Sequence, residues 1–249
     1  MNLRTIIFFI FSFEYVKITS PMNIAVILAA GKGERMLEHN IPKGFINVLG
    51  KPLLYYALKT FQECEEVDRI ILVIPEDFFA VAACYQKEFG FSKFKQIVVG
   101  GKTRQESVLL ALQNSNASEE DIVLIHDAAR PLVSQRIIKE NISTALKVGG
   151  AATMIPTSDT IIISKDGKSI DFIPDRNEYY LEQTPASFCF AQIYQAHLLA
   201  LKKGINDVSD DLKLYRDYGG KIGIVRGEKD NFKVTSEEDL AYLLMIIDK

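Results

Sequence analysis

The sequence predicts an α/β fold, a mostly parallel sheet with helices on both faces and a protruding β-arm, and three observations carry that expectation. Aliphatic runs at 24–28 and 70–74 lack polar alternation and stop at turn residues, as strands buried on both faces do. A stretch of helical period lies between them, so strand and helix alternate. Later in the chain two β-rich runs flank Lys165-Asp166-Gly167-Lys168, and Asp-Gly in that setting signals a hairpin that leaves the alternation. A chain of 249 residues with 48% hydrophobic side chains suits one such domain with a sizeable core.

The elements follow in order. Residues 6–13 form an apolar stretch too short to span a bilayer, and Glu14-Tyr15-Val16-Lys17 offers no small-residue cleavage site. Met22 stands directly before the first strand. Residues 1–21 are therefore expected to be a leader outside the fold, and 22–249 to be the domain. The strand at 24–28 ends in Ala29-Ala30-Gly31-Lys32-Gly33, which has almost no side-chain bulk, so its backbone amides can approach a ligand closely. That is what a phosphate cradle needs. Arg35 and Lys43 follow, placed to neutralise one polyanion from two sides. A P-loop is excluded because Gly31-Lys32 runs into Gly33-Glu34 rather than Ser or Thr. A dinucleotide fingerprint is excluded because Met36 occupies its third small position.

Leu54, Ala57, Leu58 and Phe61 recur at helical spacing and form a core face. A strand at 70–74, a helix over 80–88 and a short strand at 96–99 come next. Gly100-Gly101 then opens a helix, with Ser107 in its first turns either as a helix-start residue or with its hydroxyl turned to a ligand. A strand at 121–125 leads to His126-Asp127-Ala128-Ala129-Arg130-Pro131. Ligands of open parallel sheets bind beyond the carboxyl ends of strands, so Asp127 is placed to hold a divalent cation or a sugar hydroxyl and Arg130 a phosphate. The two could equally form a structural ion pair. After a strand at 151–156 comes the hairpin, 159–164 and 169–173, within an arm at about 157–183. Two isolated strands are marginal in water, so the arm is expected to pack against a second copy of the chain. Gln183-Thr184-Pro185 ends the arm. A helix over 191–203, an acidic turn at 207–211, a helix at 212–218, a strand at 221–225 and a final helix capped by Thr235 or Ser236 complete the chain.

A net charge of −3 gives no general affinity for nucleic acid or anionic membranes. The three cysteines, Cys64, Cys84 and Cys189, have no metal-type spacing and read as small core residues of a reduced, cytoplasmic protein.

The motifs A-A-G-K-G-E-R-M, P-K, G-G-K-T-R-Q-E-S-V, H-D-A-A-R-P, D-T, D-R-N, Q-T-P and F-K-V-T occur in this order over nearly all of 22–249. In this the chain resembles the cytidylyltransferases that act on polyol phosphates. The resemblance implies a Rossmann-like fold of the nucleotide-diphospho-sugar transferase type and transfer of CMP from CTP to a polyol phosphate, with Mg²⁺ on the triphosphate. Arg35 and Lys43 match the residues that stabilise the transition state, and Arg176 and Lys233 those that position the acceptor phosphate, assisted by Arg130, Thr160 and Thr184. Ala29, Ala30, Gly31, Gly101 and Ser107 match positions that bind cytidine and phosphates, and Asp127 the residue near the metal and the substrate hydroxyls. It also implies a homodimer in which Thr160 and Arg176 reach the neighbouring subunit's site. The chain departs from the family pattern at Gly44 and Ala186, where Gln is usual, and Gly44 is expected to loosen the loop carrying Lys43. Between acceptors, H-D-A-A-R-P and E-S-V favour 2-C-methyl-D-erythritol 4-phosphate, for isoprenoid precursor synthesis. Residues 173–178 and 136–141 lean towards ribitol 5-phosphate, the alternative; a nucleotide-binding protein without catalysis, using the same loops as a sensor, is the remote one.

Overall fold

A computed structural model describes residues 21–31 and 41–248. Arg35 and residues 1–20 of the expected leader lie outside the described residues. In chain order the elements are β1 (Asn23–Leu28), β2 (Asn47–Val48), β3 (Lys51–Pro52), α1 (Leu53–Glu63), β4 (Arg69–Ile74), α2 (Phe79–Phe89), β5 (Phe94–Val99), α3 (Arg104–Asn114) and β6 (Ile122–Asp127). They continue with α4 (Gln135–Val148), β7 (Gly150–Pro156), β8 (Tyr180–Cys189), α5 (Phe190–Lys202), α6 (Asp211–Asp217), β9 (Ile222–Arg226) and α7 (Glu237–Ile247).

Seven strands form one sheet in the order β5-β4-β1-β6-β8-β7-β9. Every pairing is parallel except those of β8, which runs against β6 on one side and β7 on the other. Alternate residues of β1 enter opposite layers, as the two-residue period of a strand requires. Ala25 and Ile27 join Leu54, Leu58 and Phe61 of α1 and Ile137, Ile138 and Ile142 of α4, whereas Ile24 and Val26 join Val108 and Leu112 of α3, Ile193 of α5 and Tyr215 of α6. Helices on both faces are thus a consequence of strands apolar on both faces. α7 packs separately, with Leu243 and Val234 against Val48 and Leu53.

Three features depart from the sequence expectations. The interval between β6 and β7, for which no element is expected above, holds α4, whose Ile137, Ile138, Asn141, Ile142 and Ala145 form one buried stripe. β8 is a ten-residue strand where only the end of the arm is expected, and it holds Pro185, which cannot donate to a ladder. Its register with β7 slips at that point: Ala152 pairs with Ala186 but Thr153 with Gln183, so Thr184 and the cis-linked Pro185 form a bulge without ladder partners on β7. The arm, finally, is no regular ribbon. Ile163 and Phe172 make one isolated antiparallel bridge, and the turn is held instead by Asp166 Oδ1, which accepts from the amides of Lys168 and Ser169, both at 2.8 Å.

The expectation that all three cysteines sit in the core is also corrected. Cys64 is buried, but Cys84 on α2 is exposed and Cys189 half-buried. Among the described residues no helix is long and apolar enough to cross a membrane.

Candidate functional site

Strand order places the site. From β1 the chain steps outward to β4 and β5 on one side and then returns to β6 on the other, so β1 and β6 flank the switch point where the loops at their carboxyl ends diverge. Leu28 and Asp127, the last residues of the two strands, are register partners. The bare turn after β1 therefore opens beside the Asp127 carboxylate.

The two glycine turns lie side by side. Ala29 donates its amide to Val73 O at 2.7 Å and Gly100 to Ile74 O at 2.8 Å, so both leave the same end of β4. A Cβ added to Gly100 would stand 2.6 Å from Ala30 Cβ and 2.9 Å from Ser107 Oγ, which is why glycine occupies that position. Gly31 has open space around its Cβ position. Ser107 is buried, donates to Thr103 O at 2.9 Å and accepts the Gly101 amide at 3.0 Å. Its hydroxyl braces the second turn. Gly44 draws the Lys43 loop against the first turn, since a Cβ there would lie 3.1 Å from Ala29 Cβ. Ala186 is buried in β8, paired with Ile125 and Ala152.

Lys43 donates from Nζ to Thr235 O at 3.1 Å, on the segment that carries Lys233. That segment is fixed to the loop after β6: the Val234 amide donates to Ala129 O at 2.8 Å, and Arg130 Nη1 to Asn231 O at 2.8 Å. Arg130 Nη2 donates to Glu182 O at 3.1 Å. Arg130 thus clasps two backbone segments together, with its Nε buried and without a partner, and its ion pairing with Asp127 gives way to two other cations. Lys233 Nζ lies 2.6 Å from Asp127 Oδ2, and Arg104 Nε 3.8 Å from Asp127 Oδ1. Burial works against ionisation of Asp127, but Lys233 and then Arg104 outweigh it and hold the carboxyl at about 2.

Behind Asp127 a buried chain of hydrogen bonds fixes its backbone. The Asp127 amide donates to Thr184 Oγ1 at 3.1 Å, and Thr184 Oγ1 lies 3.0 Å from His126 Nδ1. His126 Nε2 lies 3.0 Å from Arg130 O, which can only accept, so the proton sits on Nε2 and Nδ1 accepts from Thr184. Burial pushes this imidazole down to about 4 and keeps it neutral. Thr184 therefore holds Asp127 rather than facing open space. Thr160 and Arg176 are exposed on the arm, where Arg176 Nη1 donates to Ser158 O at 3.2 Å.

Three residues to which the sequence reading gives no role stand at this site. Arg104 links Asp127 to Asp211, at 2.5 Å from Asp211 Oδ2. Asp211 was visible only as part of an acidic turn, and Arg104 only as a letter of the G-G-K-T-R-Q motif. Glu182 of β8 looks onto a cavity of about 570 Å³ that also meets Asp210 and Leu212. Partial desolvation, then the nearby Asp210, push its carboxyl up to about 7 against the pull of Arg104.

Among the described residues no three His, Cys, Asp or Glu side chains converge as a metal cage. A single ionised carboxylate whose Oδ1 is not within hydrogen-bond reach of a cation nevertheless fits Mg²⁺, which takes one or two carboxylates and completes its shell from phosphates and water.

A sequence model of one protein family, described as 2-C-methyl-D-erythritol 4-phosphate cytidylyltransferase, matches residues 23–249. The chain belongs to this family. Among family relatives, the 2-C-methyl-D-erythritol 4-phosphate cytidylyltransferase of Clostridium novyi (strain NT) is 42% identical over 222 residues, 88% of this chain and 93% of its own. The ribitol-5-phosphate cytidylyltransferase of Streptococcus agalactiae serotype III (strain NEM316) is 32% identical over 229 residues, 91% of this chain and 96% of its own. Among solved structures, the 4-diphosphocytidyl-2C-methyl-D-erythritol synthase from Anaerococcus prevotii DSM 20548 superposes with a TM-score of 0.79 at 28% identity, covering 92% of this chain and 97% of that one. The mostly parallel sheet is the fold of this cytidylyltransferase family.

Proposed function

We propose that this chain transfers CMP from CTP to 2-C-methyl-D-erythritol 4-phosphate, giving 4-diphosphocytidyl-2-C-methyl-D-erythritol and pyrophosphate. The observation that carries this reading is the meeting of a bare glycine turn, Asp127, Lys233 and Lys43 at one switch point, in a chain of this family. A phosphate oxygen of the acceptor attacks the α-phosphorus of CTP in line; the new P–O bond forms as the bond to the β-phosphate breaks, and pyrophosphate leaves with that electron pair. The acceptor phosphate is already a nucleophile, so the protein's work is positioning and charge neutralisation.

The amides of Ala30 and Gly31 cradle the nucleotide in the bare turns that Ala29 and Gly101 line, and Lys43 and Arg35 neutralise charge at the pentacoordinate phosphorus. Lys233, aimed by its 2.6 Å bond to Asp127, holds the acceptor phosphate. When bound, Mg²⁺ supplies charge neutralisation on the triphosphate, and Asp127 would hold it. Arg176 and Thr160 complete the site from the arm of a second copy. Support for that homodimer comes from the arm's surface, where Ile162, Ile163, Ile170, Phe172 and Ile173 are all exposed in the single chain. A CTP-consuming enzyme of this kind works in the cytoplasm.

Pyrophosphate release with CTP and Mg²⁺, measured in parallel with 2-C-methyl-D-erythritol 4-phosphate and ribitol 5-phosphate, tests the reading. Turnover with the first acceptor is expected; preference for ribitol 5-phosphate would replace the acceptor, and no release with either would overturn the function. Lys43→Ala and Arg35→Ala should each lower the rate about a hundredfold or more, the scale of a lost transition-state donor.

A further inference from the structure

Two cations face the two oxygens of Asp127, and they are treated differently. Lys233 makes a close contact with Oδ2 at 2.6 Å, whereas Arg104 Nε stays 3.8 Å from Oδ1, beyond hydrogen-bond reach. What holds Arg104 back is its other end, where Nη1 meets Asp211 Oδ2 at 2.5 Å. Asp211 is buried, and its remaining oxygen, Oδ1, lies 3.1 Å from His197 Nε2 on α5. A carboxylate only accepts, so His197 carries a proton on Nε2 and donates it.

The spacing is built into the backbone. Arg104 is the first residue of α3, whose start is capped by Thr103 Oγ1 accepting from the Glu106 amide at 3.1 Å. Thr103 Oγ1 in turn donates to Asn206 O at 2.9 Å, tying that helix start to the segment before α6. Asp211 is the first residue of α6, capped by Asp210 Oδ1 accepting from the Lys213 amide at 2.8 Å. Two capped helix starts thus present a guanidinium and a carboxylate to each other from fixed positions.

We infer that Asp211, buttressed by His197, is a positioning residue that tethers the Arg104 guanidinium, so that Asp127 Oδ1 stays open to substrate while Oδ2 aims Lys233. The inference rests on the reading that Lys233, aimed by Asp127, holds the acceptor phosphate. Without the Asp211 charge, the full anion nearest Arg104 is Asp127. A guanidinium pairs with a carboxylate through both oxygens, which would close Oδ1 and release Lys233.

The test is a double-mutant cycle on steady-state kinetics with CTP, Mg²⁺ and 2-C-methyl-D-erythritol 4-phosphate. Asp211→Asn should lower kcat/KM by about 10–100-fold, chiefly through the acceptor KM, the scale seen when an orienting partner of a ligand-binding group is lost. Adding Arg104→Gln should recover a large part of that loss, because the misplaced cation is gone. Asp211→Glu, which keeps the charge, should hold the acceptor KM nearer the wild type than Asp211→Asn. If Asp211→Asn does not fold, Asp211→Ser, which also removes the charge, is read the same way with and without Arg104→Gln. Losses that add, or a kcat loss at unchanged acceptor KM, would overturn the inference. Turnover by the wild-type enzyme separates this outcome from failure of the proposed function, since that failure leaves no activity to partition.

Discussion

Replacing Thr184 by valine keeps the shape of the side chain and removes one oxygen that serves two buried groups. Thr184 Oγ1 donates to His126 Nδ1 at 3.0 Å and accepts the Asp127 amide at 3.1 Å. His126 is fully buried, so its Nδ1 cannot recruit water and carries the whole cost of an unpaired acceptor, about 1–3 kcal/mol. The Asp127 amide belongs to a partly buried strand end, and its lost partner adds about 1 kcal/mol. The sum is about 2–4 kcal/mol, which for a chain of this size lowers Tm by about 5–15 °C. Urea and thermal unfolding of Thr184→Val beside Thr184→Ser would measure it. The serine variant keeps the hydroxyl and loses one methyl, for a cost of about 1 kcal/mol. Equal unfolding midpoints for the two variants would refute the bridge. Turnover should fall more in the valine variant, because the amide that fixes Asp127 is freed.

Three further outcomes follow from the same geometry. The neutral His126 has its pKa lowered to about 4, so between pH 6.5 and 4 the unfolded chain binds more protons than the native one. Glu182, pushed up to about 7, works the other way over the same range, so the effect is read in a Glu182→Gln background: there stability present above pH 6.5 should fall on acidification, with a slope of up to about 1.4 kcal/mol per pH unit, and a flat urea midpoint from pH 6.5 to 5 in that background would contradict it. Gly100→Ala should weaken CTP binding about tenfold or more by calorimetry, since its Cβ meets Ala30 Cβ at 2.6 Å; Gly101→Ala should cost less, because its nearest contacts are atoms of the flexible Glu106 side chain. Asn141→Leu should lower unfolding free energy by about 1–3 kcal/mol. It removes the buried donor, 2.8 Å from Thr153 Oγ1, that joins α4 to β7; an unchanged denaturation midpoint would count against that network.

Much of the site was legible because its logic is local. The Ala29–Gly31 turn announces itself by lack of bulk at the end of an aliphatic run, and Asp127 by its place after another. The elements that escaped are those whose local signals conflict with their setting. β8 carries Pro185, and only the bulge opposite Ala152 and Thr153 lets an inner strand hold it. The arm carries a strong Asp-Gly turn, yet its flanks pair through a single bridge because no neighbouring strand extends the ladder within one chain.

Roles separated in the same way. Thr184 and Arg130 lie in motifs that suggest ligand contact, and folding adds what the motifs do not show: Thr184 meets His126 and the Asp127 amide, and Arg130 the backbone carbonyls at 182 and 231. Arg104 and Asp211 are 107 residues apart, and nothing in either segment hints at the other.

By itself the amino-acid sequence determined the fold class, the bare glycine turns and the family, because strand burial, glycine turns and ordered motifs are written over short stretches. The tertiary structure alone decided which cation pairs with which carboxylate, since that depends on two capped helix starts and three strand ends meeting at one edge of the sheet. Charge partners are chosen by distance in space, and a linear chain carries no record of that distance until it folds.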